Sequence, residues 1–307
     1  VNKPLTTALA IAATAIVGAG VVGGVASATT DSRPTSTSQA LAKLDQAKQL
    51  INEAENILRN QQTSSPPSTV TTSPTSTNNA PPPVTTSGSA AANWGTPNAQ
   101  YSDEFNTPGD PDPKKWFNSA PGCMEGNAGN GKRCPENAQV SAEGFLRETG
   151  DANGNTGWLA SQLGQKYGRY EVRARISNPE GSGKKYHPVL LLWPDSNKWP
   201  QDGEYDFFEV NSGDTNAQAF LHHPDGSPQD HFTSPDMDLT QWHNYAFEWT
   251  AQSLTGWIDG KQWFTTTSSA AQAPGKMHAT IQLDNNNGSG MAPATMDVDW
   301  FHVYPVS

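Results

Sequence analysis

Every aromatic ring of this 307-residue chain lies beyond residue 92. All ten Trp, seven Tyr and ten Phe, with the seven His and both Cys, fall in residues 93–307. A segment without large rings can bury little apolar surface, so the core must belong to that second part. Its length suits one all-β domain. Charge divides at the same place. Residues 1–92 hold 5 basic and 4 acidic side chains, and residues 93–307 hold 14 and 26, a net of −12. Such a field repels nucleic acids and polyanionic substrates.

Residues 1–28 read as an export signal. Lys3 gives a positive start, Leu5 to Val25 is uncharged, and Ala26-Ser27-Ala28 fits small-x-small cleavage. The alternative is a retained anchor, since more than 20 uncharged residues can span a bilayer. Its many Ala, Gly and Thr make it a weakly apolar span. Either reading leaves the remainder secreted or associated with the cell surface. Residues 29–61 contain the one convincing helix. Ala40, Leu44, Ala47, Ile51, Ala54 and Leu58 alternate steps of 4 and 3, the spacing of a coiled-coil seam. Two readings stand side by side: weak self-association through residues 40–58, or a lone amphipathic spacer. Residues 62–92, built mainly from Thr, Ser, Pro, Asn and Gly with no charge, form a disordered tether.

From Asn93 to the end the signals are those of strands. Tyr170, Val172, Ala174 and Ile176 alternate with Glu171, Arg173 and Arg175, a period-2 pattern with one buried face. Asn244 to Thr250 and Ser253 to Ile258 continue it, Asp259-Gly260 supplies a hairpin turn before Lys261 to Thr265, and Met296 to Tyr304 closes the chain. Strands separated by Gly, Asn and Pro turns, with no long helix between, predict a two-sheet β-sandwich. Cys123 and Cys134 enclose a Gly/Asn-rich loop and are expected to form a disulfide, because their spacing matches no zinc pattern.

The chemistry-bearing stretch runs Trp199-Pro-Gln-Asp-Gly-Glu204-Tyr-Asp206-Phe-Phe-Glu209-Val. On a strand, Glu204 and Asp206 share a face, while Tyr205 and Phe207 point into the core. Strict alternation would then bury Glu209 unpaired, at a cost of several kcal/mol. One extra residue at Phe207-Phe208, a β-bulge, returns Glu209 to the acidic face and sends Val210 inward. The two glutamates are then about 13 Å apart along the backbone at roughly 3.3 Å per residue. Side-chain lean shortens that to roughly 5–6 Å, against about 5–5.5 Å for retaining and 6.5–9.5 Å for inverting glycosidases. Phe207, Phe208, Trp193 and Trp199 beside the acids suit a sugar groove, with Trp193 and Trp199 as candidate substrate-binding rings. A calcium or magnesium site and a solvated acidic edge strand are the competing readings of the same residues.

Those residues resemble the signature of glycoside hydrolase family 16, whose bulged branch reads Glu-x-Asp-x-x-Glu. Tyr101-Ser-Asp103-Glu104-Phe105, Trp116, Glu136-Asn137-Ala138, Gly144-Phe145-Leu146, Tyr167-Gly168-Arg169-Tyr170-Glu171-Val172-Arg173, Trp242 to Trp249, Ile258-Asp259-Gly260 and Asp297 to Tyr304 are similar to further family segments in the same order. The resemblance implies a β-jelly-roll of the concanavalin A-like kind over residues 93–307, with a curved groove, and endo-acting, double-displacement hydrolysis of β-linked glycans. It implies Glu204 as nucleophile, Glu209 as acid/base, Asp206 as helper and His222 as a groove histidine facing the site. β-1,3-Glucan is the expected substrate; transglycosylation, hydrolysis of a galactan-type glycan, and a non-catalytic carbohydrate-binding module are the alternatives. No cofactor is expected for catalysis. Asp299, near the last strand, is the candidate ligand for a structural calcium ion. Two segments depart from the family pattern. His187-Pro188-Val189-Leu190-Leu191 stands where the family commonly has Trp-Pro-Ala-x-Trp, so a stacking ring is missing at 191, and Trp193 is expected to replace it. Leu283 to Gly288 lacks the family's usual Gly-Gly.

Overall fold

The computed structural model describes residues 89–306. The export signal expected over 1–28, the helix region 29–61 and the tether up to residue 88 lie outside the described residues.

Among the described residues, strands follow one another with only short 3-10 turns between them, since this part of the chain is punctuated by Gly, Asn and Pro too often to sustain a longer helix. In chain order the first are β1 (Trp116–Phe117), β2 (Met124–Glu125), β3 (Lys132–Arg133), β4 (Ala138–Val140), β5 (Leu146–Gly150) and β6 (Asn155–Thr156). Next come β7 (Trp158–Ser161), β8 (Gly168–Ile176), β9 (His187–Pro194), β10 (Glu204–Glu209), β11 (Gln218–His222) and β12 (Asp230–Thr233). The last are β13 (His243–Trp249), β14 (Leu254–Ile258), β15 (Lys261–Thr266), β16 (Met277–Asp284) and β17 (Ala294–Tyr304).

Two seven-stranded sheets, ordered β1-β7-β16-β9-β10-β11-β12 and β15-β14-β13-β8-β17-β5-β4, make the sandwich expected from the sequence. Neighbouring strands within each are antiparallel. Aromatic rings join the sheets: Phe207 stacks on Phe247 at 5.4 Å, Tyr205 meets Trp249 edge-on at 5.4 Å, and Phe208 lies 4.2 Å from Tyr245. The Asp259-Gly260 turn has positive φ at both residues (49° and 74°), the geometry a two-residue hairpin requires. A small third sheet, β2-β3-β6, carries the predicted Cys123–Cys134 disulfide beside it.

The expected alternation in β8 holds at Tyr170, Val172, Ala174 and Ile176, all buried. Glu171 departs from it, for it is fully buried too. Ser89, Ala90 and Ala91 sit on this carboxylate: Ser89 Oγ donates at 2.5 Å and Ala90 N at 3.0 Å. Ser89 to Ala91, at the end of the expected tether, thus supply the donors that let a carboxylate be covered.

Phe208, fully buried against Tyr245, is one of the ring contacts that join the two sheets. Phe208→Ala should cost about 3–5 kcal/mol, lowering the thermal midpoint by on the order of 10 °C at about 2–4 °C per kcal/mol for a domain this size. Thermal unfolding followed by circular dichroism measures it.

Candidate active site

Strand β10 lies between β9 and β11 on the floor of a groove of about 1040 Å³. The bulge is present. Asp206 pairs with Leu191 and Phe208 with Leu190, so Phe207 is the extra residue against β9. Against β11, Asp206 pairs with Phe220 and Glu209 with Gln218, three steps opposite two. Phe207, Phe208 and Val210 all enter the core, and Glu204, Asp206 and Glu209 all line the groove. Two anchors hold the strand from below. Tyr205 Oη donates to Ala271 O at 2.8 Å and accepts from Ala273 N at 2.6 Å, while Phe207 stacks on Phe247.

Two histidines contact the acids. His222 on β11 places Nε2 3.1 Å from Asp206 Oδ2 and 3.9 Å from Glu204 Oε2. Donor atoms of Glu204, Asp206 and His222 all lie within 4.8 Å of one another. His187 on β9 hydrogen-bonds Glu209 through Nε2, and its Nδ1 lies 3.2 Å from Asn211 Oδ1. Burial pushes the Glu204 carboxyl well above its usual range, Asp206 and Glu209 add repulsion, and His222 works the other way. Asp206 is likewise held well above its usual range by burial and by Glu209, with His187 opposing. Glu204 and Asp206 thus retain protons that exposed carboxyls would lose.

The rings expected from the sequence line the groove. Trp199 is 44% exposed and meets His222 edge-on at 5.8 Å; Trp193 donates Nε1 to Asn197 Oδ1 at 2.8 Å. Position 191 is a buried leucine on the floor. The opposite end holds residues that sequence reasoning passed over: Phe117 (48% exposed), Met124 (39% exposed), Trp158 and Arg133. Phe117 meets Trp158 edge-on at 5.7 Å, and the Arg133 guanidinium lies 5.4 Å from the Trp158 ring centre. Met124, Asn127 and Arg133 arrive on the disulfide-bounded loop, which Asn127 ties across by donating to Asn286 Oδ1 at 2.7 Å. His187 was also passed over, although its strand carries a signal. His187, Val189, Leu191 and Trp193 alternate along β9, so one facing the groove implies the rest.

Asp299 lies apart from these residues, on β17 of the other sheet. Its carboxyl is pushed up to about 6 by burial, with Arg173 pulling it down. Arg173 Nε is 3.1 Å from Oδ2, yet that buried oxygen accepts no hydrogen bond among the described residues. A carboxylate is the kind of oxygen ligand a hard cation takes, and here it already faces the Arg173 guanidinium.

The sequence model described as glycosyl hydrolases family 16 matches residues 135–302. A beta-glucanase of Rhodothermus marinus is 29% identical over 191 residues, covering 53% of this chain and 63% of that protein. The chain thus spans less than two thirds of the curated relatives it matches. Among solved structures, a non-specific endo-beta-1,3(4)-glucanase superposes with a TM-score of 0.55 at 24% identity, covering 68% of this chain and 93% of the other. A laminaritriose- and laminaritetraose-bound protein from Zobellia galactanivorans superposes with a TM-score of 0.56 at 20% identity, covering 69% and 100%. These likenesses show the jelly-roll fold.

The raised carboxyls carry a sign. Where a folded pKa exceeds the unfolded one, the native state keeps protons the unfolded chain has released, so stability falls as pH rises through that interval. Glu204 and Asp206 place the interval upward from the usual carboxylate range. The thermal midpoint should fall from pH 4.5 toward neutrality, and Asp206→Asn should flatten the fall and raise the midpoint at pH 7 by about 2–4 °C per kcal/mol relieved. Scanning calorimetry across pH tests both.

Proposed function

We propose that this chain, which belongs to glycosyl hydrolase family 16, is a retaining, endo-acting hydrolase of β-linked glucan, with β-1,3-glucan as substrate. The observation that carries the reading is the bulged strand β10, which presents Glu204, Asp206 and Glu209 on one face of an aromatic-walled groove. The Glu204 carboxylate attacks the anomeric carbon while Glu209 gives its proton to the departing oxygen. Water, deprotonated by Glu209, then releases the glycosyl group from Glu204. Asp206, steadied by His222, spreads charge beside the nucleophile. Trp193 and Trp199 offer faces for pyranose stacking. β-1,3-Glucan is favoured because the relatives include a beta-glucanase and a laminari-oligosaccharide complex.

The wider setting belongs to the same proposal. Export, to the medium or the cell surface, is supported by the Cys123–Cys134 disulfide, a bond that persists in oxidising compartments. Self-association through residues 40–58 would bring several such domains to one polymer. On the second sheet, Asp299 would be a side-chain ligand of a structural calcium ion, sharing its carboxylate with Arg173.

Incubating the full chain with laminarin, lichenan, agarose and a galactan should release a ladder of oligosaccharides from laminarin. Proton NMR of the first products should show the β-anomer, and an initial α-anomer would remove the retaining mechanism. Glu204→Gln should lower turnover by about a thousandfold or more while sparing glycan binding. Glu209→Ala should regain activity with azide on an activated aryl glycoside. Turnover left unchanged in both variants would sink the site assignment.

Calcium gives a separate readout. At a hundred times its dissociation constant the ion should stabilise the fold by about 2.7 kcal/mol. The thermal midpoint should rise in the parent chain and stay put in Asp299→Asn.

A further inference from the structure

His187 stands where the family pattern commonly has a tryptophan, and its contacts differ in kind from stacking. Its Nε2 is hydrogen-bonded to Glu209 Oε1, and both side chains are only partly exposed, at 15% and 21%. The ring's other nitrogen is fixed by a chain of polar groups. Asn211 donates its Nδ2 to Asp214 Oδ2 at 3.0 Å, and Asp214 is held by Lys185 Nζ at 2.8 Å. With its amide nitrogen so engaged, Asn211 turns Oδ1 to the ring at 3.2 Å, which requires the proton on His187 Nδ1. Nε2 is left to share one proton with Glu209.

We propose that His187 is a positioning residue for the acid/base: it and Glu209 hold one catalytic proton between them, and His187 keeps that proton in the groove at pH values where a lone carboxyl would lose it. The inference rests on the reading of Glu209 as acid/base and deepens it.

The proton balance is simple. In the first step the shared proton moves to the glycosidic oxygen as the C–O bond breaks and Glu204 bonds to the anomeric carbon. The pair is then a carboxylate beside a neutral imidazole. In the second step an incoming water bonds to the anomeric carbon as the Glu204 ester bond breaks, and its proton returns to the pair. No other reactant is needed.

The surroundings favour retention of the proton. Asp206 and Glu204 face the pair from β10, Asp284 is opposite His187 in register on β16, and His222 faces it from β11. Arg133, 2.7 Å from Asp284, offsets one of those charges. Burial disfavours a charge on His187, but Glu209, Asn211 and Asp284 outweigh it and raise the imidazole to about 9.

The test compares pH profiles of kcat/KM for the full chain and His187→Gln on two substrates. One is laminarin, whose leaving group needs a proton. The other is a 2,4-dinitrophenyl β-laminarioside, whose leaving group does not. On laminarin, the alkaline limb of His187→Gln should move at least one pH unit toward acid, with about a tenfold loss at pH 8. On the aryl glycoside, kcat/KM should stay within about threefold and the limb should not move. Asn211→Leu, which frees the ring's tautomer, should shift the laminarin limb in the same direction by less. It supplies the readout should His187→Gln fail to fold. An unmoved laminarin limb, or equal losses on both substrates, overturns the proposal. If Glu209→Ala itself retains laminarin turnover, the acid/base reading fails first, and the two failures remain distinguishable.

Discussion

A single unpaired residue decides the character of this groove. Without Phe207 as an insertion, strand β10 would alternate through Glu209 and drive that carboxylate between the sheets, at several kcal/mol. With it, two phenylalanines enter the core in succession, each contributing about 1.5–3 kcal/mol of burial. The hydrophobic effect and the cost of an unpaired charge therefore select the same register. Each bulge contact on β9 and β11 is a consequence of that choice. The rings Phe247 and Tyr245 on the facing sheet then hold the insertion in place.

The same face concentrates negative charge that water would otherwise dilute. Burial and mutual repulsion hold protons on Glu204 and Asp206, and the two imidazoles answer different acids: His222 contacts Asp206, His187 contacts Glu209. Acid and base roles in a double displacement need carboxyls whose proton affinities differ. Here adjacent strands give the acids different surroundings, an imidazole from β11 beside Asp206 and one from β9 beside Glu209. Strand order β9-β10-β11 is thus an electrostatic arrangement as well as a fold.

Legibility in the sequence followed the range of the forces involved. Strand alternation, the Asp259-Gly260 hairpin and the bulge were readable because each is set within a few residues. The bulge followed from one parity conflict, Glu209 against Val210. Glu171 was misread as a solvent-facing partner in an alternating strand, since the groups that cover it come from residues 89–91, some 80 positions away. Phe117, Met124 and Trp158 escaped for the same reason. Phe117 and Trp158 reach the groove only when β1 and β7 add to the far edge of its sheet, and Met124 only with the disulfide-bounded loop. His187 was legible as a missing tryptophan, but its bond to Glu209 depends on a cross-strand register that one strand alone does not reveal.

The changed ring pattern makes sense once stacking and proton chemistry are separated. A tryptophan at 191 would rise from the floor of the groove next to the acids; leucine there lies flat and buried. The aromatic surface is moved outward instead, to Trp193 and Trp199 at one end and Phe117 and Trp158 at the other. Vacating the floor leaves the middle of the groove to polar groups, with His187 from β9 reaching Glu209 where a ring at that position would have turned an apolar face to it. The disulfide-bounded loop completes the exchange by carrying Met124 and Arg133 over the far end, tied down through Asn127 and Asn286. Aromatic surface thus stands on the walls, and the floor between them is held by the polar pair His187 and Glu209.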